Sequence, residues 1–152
     1  MLLLSPNGGA AHSGTYSGFL LSVLAALATL EELTQPGVYE RINAMADNFY
    51  GQLQSIFDEN GVPVRVQGMG ARFGLYFGRT DPVTTWSDAM NHDHAMNQRF
   101  VTECNARGVA FHGYTKQGPP GHAGFSLAHT EADFDEALNV IETVASGLGK
   151  GN

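Results

Sequence analysis

The sequence predicts an α+β fold in which helices pack on a small, largely antiparallel sheet. Three observations predict it: long segments with apolar residues at helical spacing, short segments rich in β-forming residues, and glycine or proline at most boundaries. The predicted order is helix, helix, two strands, helix, two strands and a final helix. A chain of 152 residues with no repeat or evident linker favours one domain.

The first predicted helix is long and apolar, and it runs from about Ser17 to about Thr34. Apolar residues cover nearly its whole circumference, so it needs neighbours on every side and is expected at a core or an interface. The second helix lies between Pro36 and Gly61, with apolar residues at helical spacing throughout. We therefore divide the single domain 1–152 into an N-terminal segment, 1–35, and an α+β part, 36–152.

Two strands should follow, "VRVQ" from Val64 and "RFGLYFG" from Arg72, separated by the glycine-bearing turn "GMGA". We expect them to form a hairpin or a pair of adjacent strands. A third helix is predicted from Ser87 or Asp88 to Arg107, where Gly108 ends the pattern.

The last part of the chain begins with "VAFHGY" and "AGFSLA", which predict two short strands. The segment "TKQGPPGH" joins them, and its glycines and prolines predict an irregular loop that could form the wall of a site. The final helix opens at Thr130 with Asp133 three residues later, a near capping box. Its predicted buried stripe is Phe134, Leu138, Ile141, Ala145 and Leu148.

Composition excludes several classes of partner and site. Eight basic against 15 acidic residues give a formal charge of -7, which disfavours binding to nucleic acids or anionic membranes. The single cysteine, Cys104, allows no internal disulfide and fits a reducing, cytoplasmic setting. The apolar stretch 19–33 is too short to span a bilayer, and the N-terminus lacks the basic region of a signal peptide.

No metal site or nucleophile is indicated by a motif. In "NHDH", His92 and His94 flank Asp93 near a predicted helix start, which favours a solvated polar turn over a chelating pair. No serine occupies a "GxSxG" elbow, and the glycines of "GMGARFG" precede a strand, which favours a tight turn over a phosphate loop.

The segment "HSGTYSG", directly before the first helix, is the remaining candidate. Its hydroxyl groups, on Thr15 and Ser17 among others, lie where a helix exposes unpaired N–H groups and a partial positive charge. Such a turn serves either as a simple helix cap or as a phosphate-binding site. The pattern alone leaves both alternatives open.

Almost the whole chain resembles a known family. The stretch from "SPNGGAAHSGTYSG" to "GMGARFGLYF", and the end "RGVAFHGY…HAGFSLAHTEADFDEAL", are similar to class III pyridoxal-phosphate-dependent aminotransferases, most of all to their glutamate-1-semialdehyde aminomutase branch. The resemblance implies the fold of the C-terminal domain of fold-type I aminotransferases, preceded by the long apolar helix.

The resemblance also implies a role for the turn. In that family the threonine of "GT(F/Y)SGNP" binds the phosphate of a cofactor held by the other subunit of a dimer, which assigns this role to Thr15, with Ser13 and Gly14 beside it. This sequence has Phe19 and Leu20 where the family has Asn-Pro. Arg72 and His112 are the polar residues we expect to contact a substrate.

The family's chemistry needs a lysine that bonds covalently to the cofactor. The only lysines are Lys116 and Lys150, and neither matches that position, which in the family lies upstream of the turn. The resemblance therefore implies a domain that is inactive alone, holds no covalent cofactor, and retains dimerisation and phosphate or ligand binding. Two alternatives remain: one piece of a split enzyme that is active with a lysine-bearing partner, and a stand-alone module that binds a small anion or ligand.

Overall fold

The computed structural model describes residues 3–4, 7–11, 14–111 and 118–149. The chain divides into two compact units, Met1–Val38 and Tyr39–Asn152. Among the described residues, no helix has the length and apolar character needed to cross a membrane.

The first unit contains helix α1, Leu20–Leu33. It begins three residues later than the sequence predicted, because the chain from Gly14 to Phe19 forms two consecutive turns. The Ser17 N–H donates to the Gly14 carbonyl (2.9 Å) and the Phe19 N–H to the Tyr16 carbonyl (3.1 Å). Inside the second of these turns, Gly18 has φ +77°, a conformation that favours glycine. None of the α1 side chains is buried within this chain.

The second unit holds most of helix α2, Val38–Glu59, and three further helices: α3, Trp86–Met90, α4, His94–Asn105, and α5, Glu131–Gly149. The prediction of one helix from Ser87 or Asp88 to Arg107 is wrong. Asn91 leaves helical geometry at φ -93°, ψ 74°, and the helix restarts where the Asp93 carboxylate accepts the Met96 N–H at 2.9 Å. An N-cap inside the predicted helix therefore divides it in two.

The sheet has three antiparallel strands in the order β1, Val64–Met69, β2, Arg72–Phe77, and β3, Ala123–Gly124. The predicted hairpin is present, with Val64 opposite Phe77 and Met69 opposite Arg72. The sequence predicted more strand structure in the last part of the chain than the described residues contain. The segment "AGFSLA" contributes only two strand residues, and in "VAFHGY" residues 109–111 lie outside any strand while the remainder lies outside the described residues.

The core lies between the sheet and helices α2, α4 and α5. At its centre the rings of Phe57, Phe77 and Phe100 are fully buried, with centroid separations of 5.1 to 5.7 Å. Such separations are typical of well-packed aromatic groups. The α5 stripe is buried as predicted at Leu138, Ile141, Ala145 and Leu148, with Val144 in addition and Phe134 partly buried.

The other face of β2 is covered by the segment that contains α3. Tyr76 packs there with Val83 and Ala89. The Gln67 amide donates to the Val83 carbonyl (2.7 Å) and accepts the Val83 N–H (3.0 Å), so one side chain satisfies both backbone groups of Val83. Residues 73–77 are consequently all buried, as expected for a strand covered on both faces.

Candidate functional site

The turn before α1 contains the residues that the family resemblance associates with phosphate binding. The N-cap of α1 is Phe19, which makes no side-chain capping bond in the described part of the chain. The alternative that Thr15 and Ser17 merely cap the helix is therefore wrong. Both residues are exposed, and within the described ranges neither hydroxyl makes a hydrogen bond.

The backbone around these hydroxyls also offers donors. Among the described residues, the N–H groups of Tyr16 and Gly18 make no backbone hydrogen bond, and the first turn of α1 leaves further N–H groups without side-chain partners. Hydroxyl and amide donors at the positive end of a helix suit a phosphate dianion. Thr15 therefore presents an exposed hydroxyl of the kind that phosphate accepts a hydrogen bond from, and Ser13 lies outside the described residues.

Apolar bulk lies beside this turn. The Tyr16 and Phe19 rings meet edge to face with their centroids 5.9 Å apart, and both side chains are exposed. The residues that replace the family's Asn-Pro pair thus begin an apolar surface, which continues along α1 from Leu20.

Arg72, in the second unit, begins β2 and lies opposite Gly124 of β3. A Cβ atom on Gly124 would lie 2.9 Å from Arg72 Cδ and 2.8 Å from the Ala71 carbonyl oxygen. A glycine is therefore required where the Arg72 side chain lies against β3. His112, the other expected substrate contact, lies outside the described residues.

Arg72 lies at a cleft of about 650 Å³, which we call the aromatic cleft. Five phenylalanines line it, together with a few polar side chains: Phe49, Phe73, Phe111, Phe125 and Phe134, and Arg72, His129, Asp133 and Glu136. No sequence pattern predicted this cleft, because its rings come from separate parts of the chain and share no local spacing. In the predicted "TKQGPPGH" wall, Gly118 and Pro120 are buried, and none of its described residues lines the aromatic cleft.

The histidines of "NHDH" are not a solvated turn. His92 is only 8% exposed, its Nε2 lies 2.9 Å from the Gly118 carbonyl oxygen, and its ring centroid is 4.1 Å from that of His94. Both Nδ1 atoms are buried, without a partner among the described residues. Burial lowers the pKa of His92. The prediction failed because packing of the distant Gly118 segment, not local sequence, buries this side chain.

Neither a reactive thiol nor a metal-binding cluster is found among the remaining candidate groups of the described residues. Cys104 is fully buried, and burial raises the pKa of its thiol to about 12, so the reactive thiolate is scarce at neutral pH. Within the described ranges, no three His, Cys, Asp or Glu side chains are arranged to hold a metal ion.

No protein-family model matches the chain. Over 151 residues it is 33% identical to glutamate-1-semialdehyde 2,1-aminomutase from Thermomicrobium roseum, a match that covers 97% of this chain and 33% of that protein. The resemblance to class III aminotransferases is confirmed. The chain spans about a third of the length of this curated relative.

Solved aminotransferase structures share the fold. One is a β-phenylalanine aminotransferase from Variovorax paradoxus, with a TM-score of 0.81 and 24% identity over 99% of this chain and 34% of that one. Another is a transaminase with PLP bound, with a TM-score of 0.72 and 19% identity over 97% of this chain and 32% of that one. The three-stranded antiparallel sheet and its helices thus match the C-terminal domain of aminotransferases.

Proposed function

We propose that this chain provides the phosphate-binding turn and a dimer surface of a class III aminotransferase or aminomutase, and that it does not catalyse transamination alone. One observation carries the proposal: the turn from Gly14 to Phe19 presents hydroxyl and N–H groups that the described part of the chain does not use. Its occupant is the phosphate of pyridoxal phosphate, held by the Thr15 hydroxyl with Ser13 and Gly14 beside it.

Pyridoxal phosphate, when bound, supplies an electron sink for amino-group chemistry. The covalent lysine that this chemistry requires has no counterpart here, because the chain has only Lys116 and Lys150 and neither matches the family's position. The role of this chain is therefore to orient the cofactor through its phosphate. We expect no covalently bound cofactor in the isolated chain.

Dimerisation follows from the exposed side chains of α1. Large apolar residues remain in solvent on several faces of this helix: Leu20, Leu21, Val23, Leu24, Leu27 and Leu30. Each such side chain gains about 1.5 to 3 kcal/mol when it is fully buried, so a partner surface would stabilise the chain substantially. A second copy of this chain is the proposed partner.

A second candidate is a piece of a split enzyme that regains activity with a lysine-bearing partner chain. This chain covers 33% of the Thermomicrobium roseum relative, and the split enzyme would need that partner to supply the part that the match does not cover. Mixing with such a partner and pyridoxal phosphate would then produce turnover, which the first proposal does not require.

Phosphate titration tests the turn. Thr15→Val keeps the side-chain shape and removes the hydroxyl, so it should weaken phosphate binding. Thr102→Val, at an exposed position of α4, is the matched control and should leave the affinity unchanged. Equal affinity in wild type and Thr15→Val would contradict a role for this hydroxyl.

An activity assay tests the catalytic part. The chain with pyridoxal phosphate should show no turnover above a heat-inactivated control. Turnover that survives both Lys116→Ala and Lys150→Ala would show that the missing lysine does not limit this chain.

A further inference from the structure

We propose that the aromatic cleft is a binding site for small aryl carboxylates, in which Arg72 pairs with the carboxylate and the phenylalanine rings contact the aryl group. The cleft belongs to the Tyr39–Asn152 unit, and the proposal does not depend on the phosphate-binding turn. Its volume, about 650 Å³, is within the range of sites that enclose small molecules.

The aromatic walls leave apolar surface for a ligand. Phe49 and Phe73 are buried, with their ring centroids 5.7 Å apart. Phe125 and Phe134, with centroids 5.1 Å apart, and Phe111 are only half-buried, so part of each ring remains in contact with solvent. A ligand ring that covers this surface gains both apolar burial and aromatic contact.

Arg72 is the only lysine or arginine among the described residues that line the cleft. Its guanidinium makes no ion pair or hydrogen bond within the described ranges, so its planar donor set is available. Gly124 allows the side chain to lie against β3. An arginine that lines a cleft with aromatic walls matches a carboxylate, which can accept two parallel N–H bonds from it.

The cleft also carries negative charge, on Asp133 and Glu136 of α5. Asp133 is already occupied, because its Oδ2 accepts the Thr130 N–H and hydroxyl at 2.7 Å each. Glu136 is exposed and makes no ion pair in the described part of the chain. It should repel a bound carboxylate weakly through solvent, so removing its charge should strengthen the binding of an anion.

Calorimetric titration of the full chain with 3-phenylpropanoate tests the proposal. Arg72→Gln should weaken binding about tenfold or more, because a charge-assisted bidentate pair is lost. Arg41→Gln makes the same change in net charge at an exposed position outside the cleft and should bind as the wild type does. Glu136→Gln should bind more tightly than the wild type. Circular dichroism on each variant verifies that it folds.

A comparison with 3-phenylpropylammonium identifies the charge that the site selects. Tighter binding of this cation than of the acid would show that the α5 carboxylates dominate, and would overturn the proposal. Equal weakening by Arg72→Gln and Arg41→Gln would also overturn it, since only overall charge would then matter. Thr15→Val should leave 3-phenylpropanoate binding unchanged, so failure here is distinguishable from failure of the phosphate-binding turn.

Discussion

Gly68 packs where the hairpin meets α2. A Cβ atom at this position would lie 2.6 Å from the Arg72 carbonyl oxygen and 2.7 Å from Phe73 Cβ. These atoms belong to the paired strand, so they cannot move without disturbing the sheet. Gly68→Ala should lower the free energy of unfolding by about 1 to 3 kcal/mol, the usual cost of overpacking.

The matched control is Gly51, in the interior of α2, where an added Cβ meets nothing within 4 Å. Gly51→Ala should raise the free energy of unfolding by about 0.5 to 1 kcal/mol, because alanine loses less conformational entropy in a helix. Urea titrations of the two variants measure both effects. Similar destabilisation by both substitutions would refute the packing argument.

His92 should make folding stability depend on pH. Burial lowers its pKa, the adjacent His94 acts in the same direction, and Gly118 and Asp93 act against it. In the unfolded chain the imidazole titrates at about pH 6.5. The contribution of His92 to the free energy of unfolding should therefore be fully present above that pH and decrease as the pH drops below it. Unfolding free energies measured at about pH 7.5 and about pH 5.5 quantify this difference.

His92→Gln keeps a donor for the Gly118 carbonyl and cannot titrate, so it should reduce the pH difference. His122→Gln, at an exposed position, should leave the difference as in the wild type. If His92→Gln leaves the difference in unfolding free energy between the two pH values unchanged, that difference arises from other titrating groups.

Among the elements, α5 has the clearest start signal. The Thr130 N–H and hydroxyl both donate to Asp133 Oδ2 at 2.7 Å, and the Asp133 N–H donates to Thr130 Oγ1 at 3.3 Å. The first of these bonds is the main reason that the pKa of Asp133 is lowered. The near capping box predicted from the sequence is thus confirmed.

Thr130→Ala should lower the free energy of unfolding by about 0.5 to 2 kcal/mol, because it removes this cap. Thr143→Ala, at an exposed position inside the same helix, is the control and should be neutral or slightly stabilising. Chemical denaturation compares the two. A loss at Thr143 as large as that at Thr130 would show that the cap contributes nothing specific.

At the scale of the whole molecule, the exposed leucines of α1 predict self-association. Leu24 and Leu27 are each 51% exposed, on a helix with no buried side chain in this chain. Leu24→Glu and Leu27→Glu should each dissociate or unfold the assembly, because a carboxylate would replace an apolar contact at the proposed interface. Light scattering at low micromolar concentration measures the molar mass of each variant in solution and therefore its oligomeric state.

The control for this experiment is Gln98→Glu, at an exposed position of α4. A wild-type monomer that exposes no dye-binding apolar surface would contradict self-association.

The sequence by itself determined features that depend on neighbouring residues. Helical periodicity predicted α2 and α5, a glycine-bearing turn predicted the β1–β2 hairpin, and Thr130 with Asp133 predicted a helix start. Each of these signals acts within a few residues, so it can be recognised without knowing the fold. The family resemblance came from the order of many such segments.

Only the tertiary structure decided features that join distant segments. The Gly118 backbone buries His92, 26 residues away, and rings from separate segments form the aromatic cleft beside Arg72. The helix break before α4 combines both effects: Asp93 is a local cap, but its N–H donates to the Phe77 carbonyl at 2.7 Å, across the fold. Such contacts depend on how the chain packs, which no local pattern specifies.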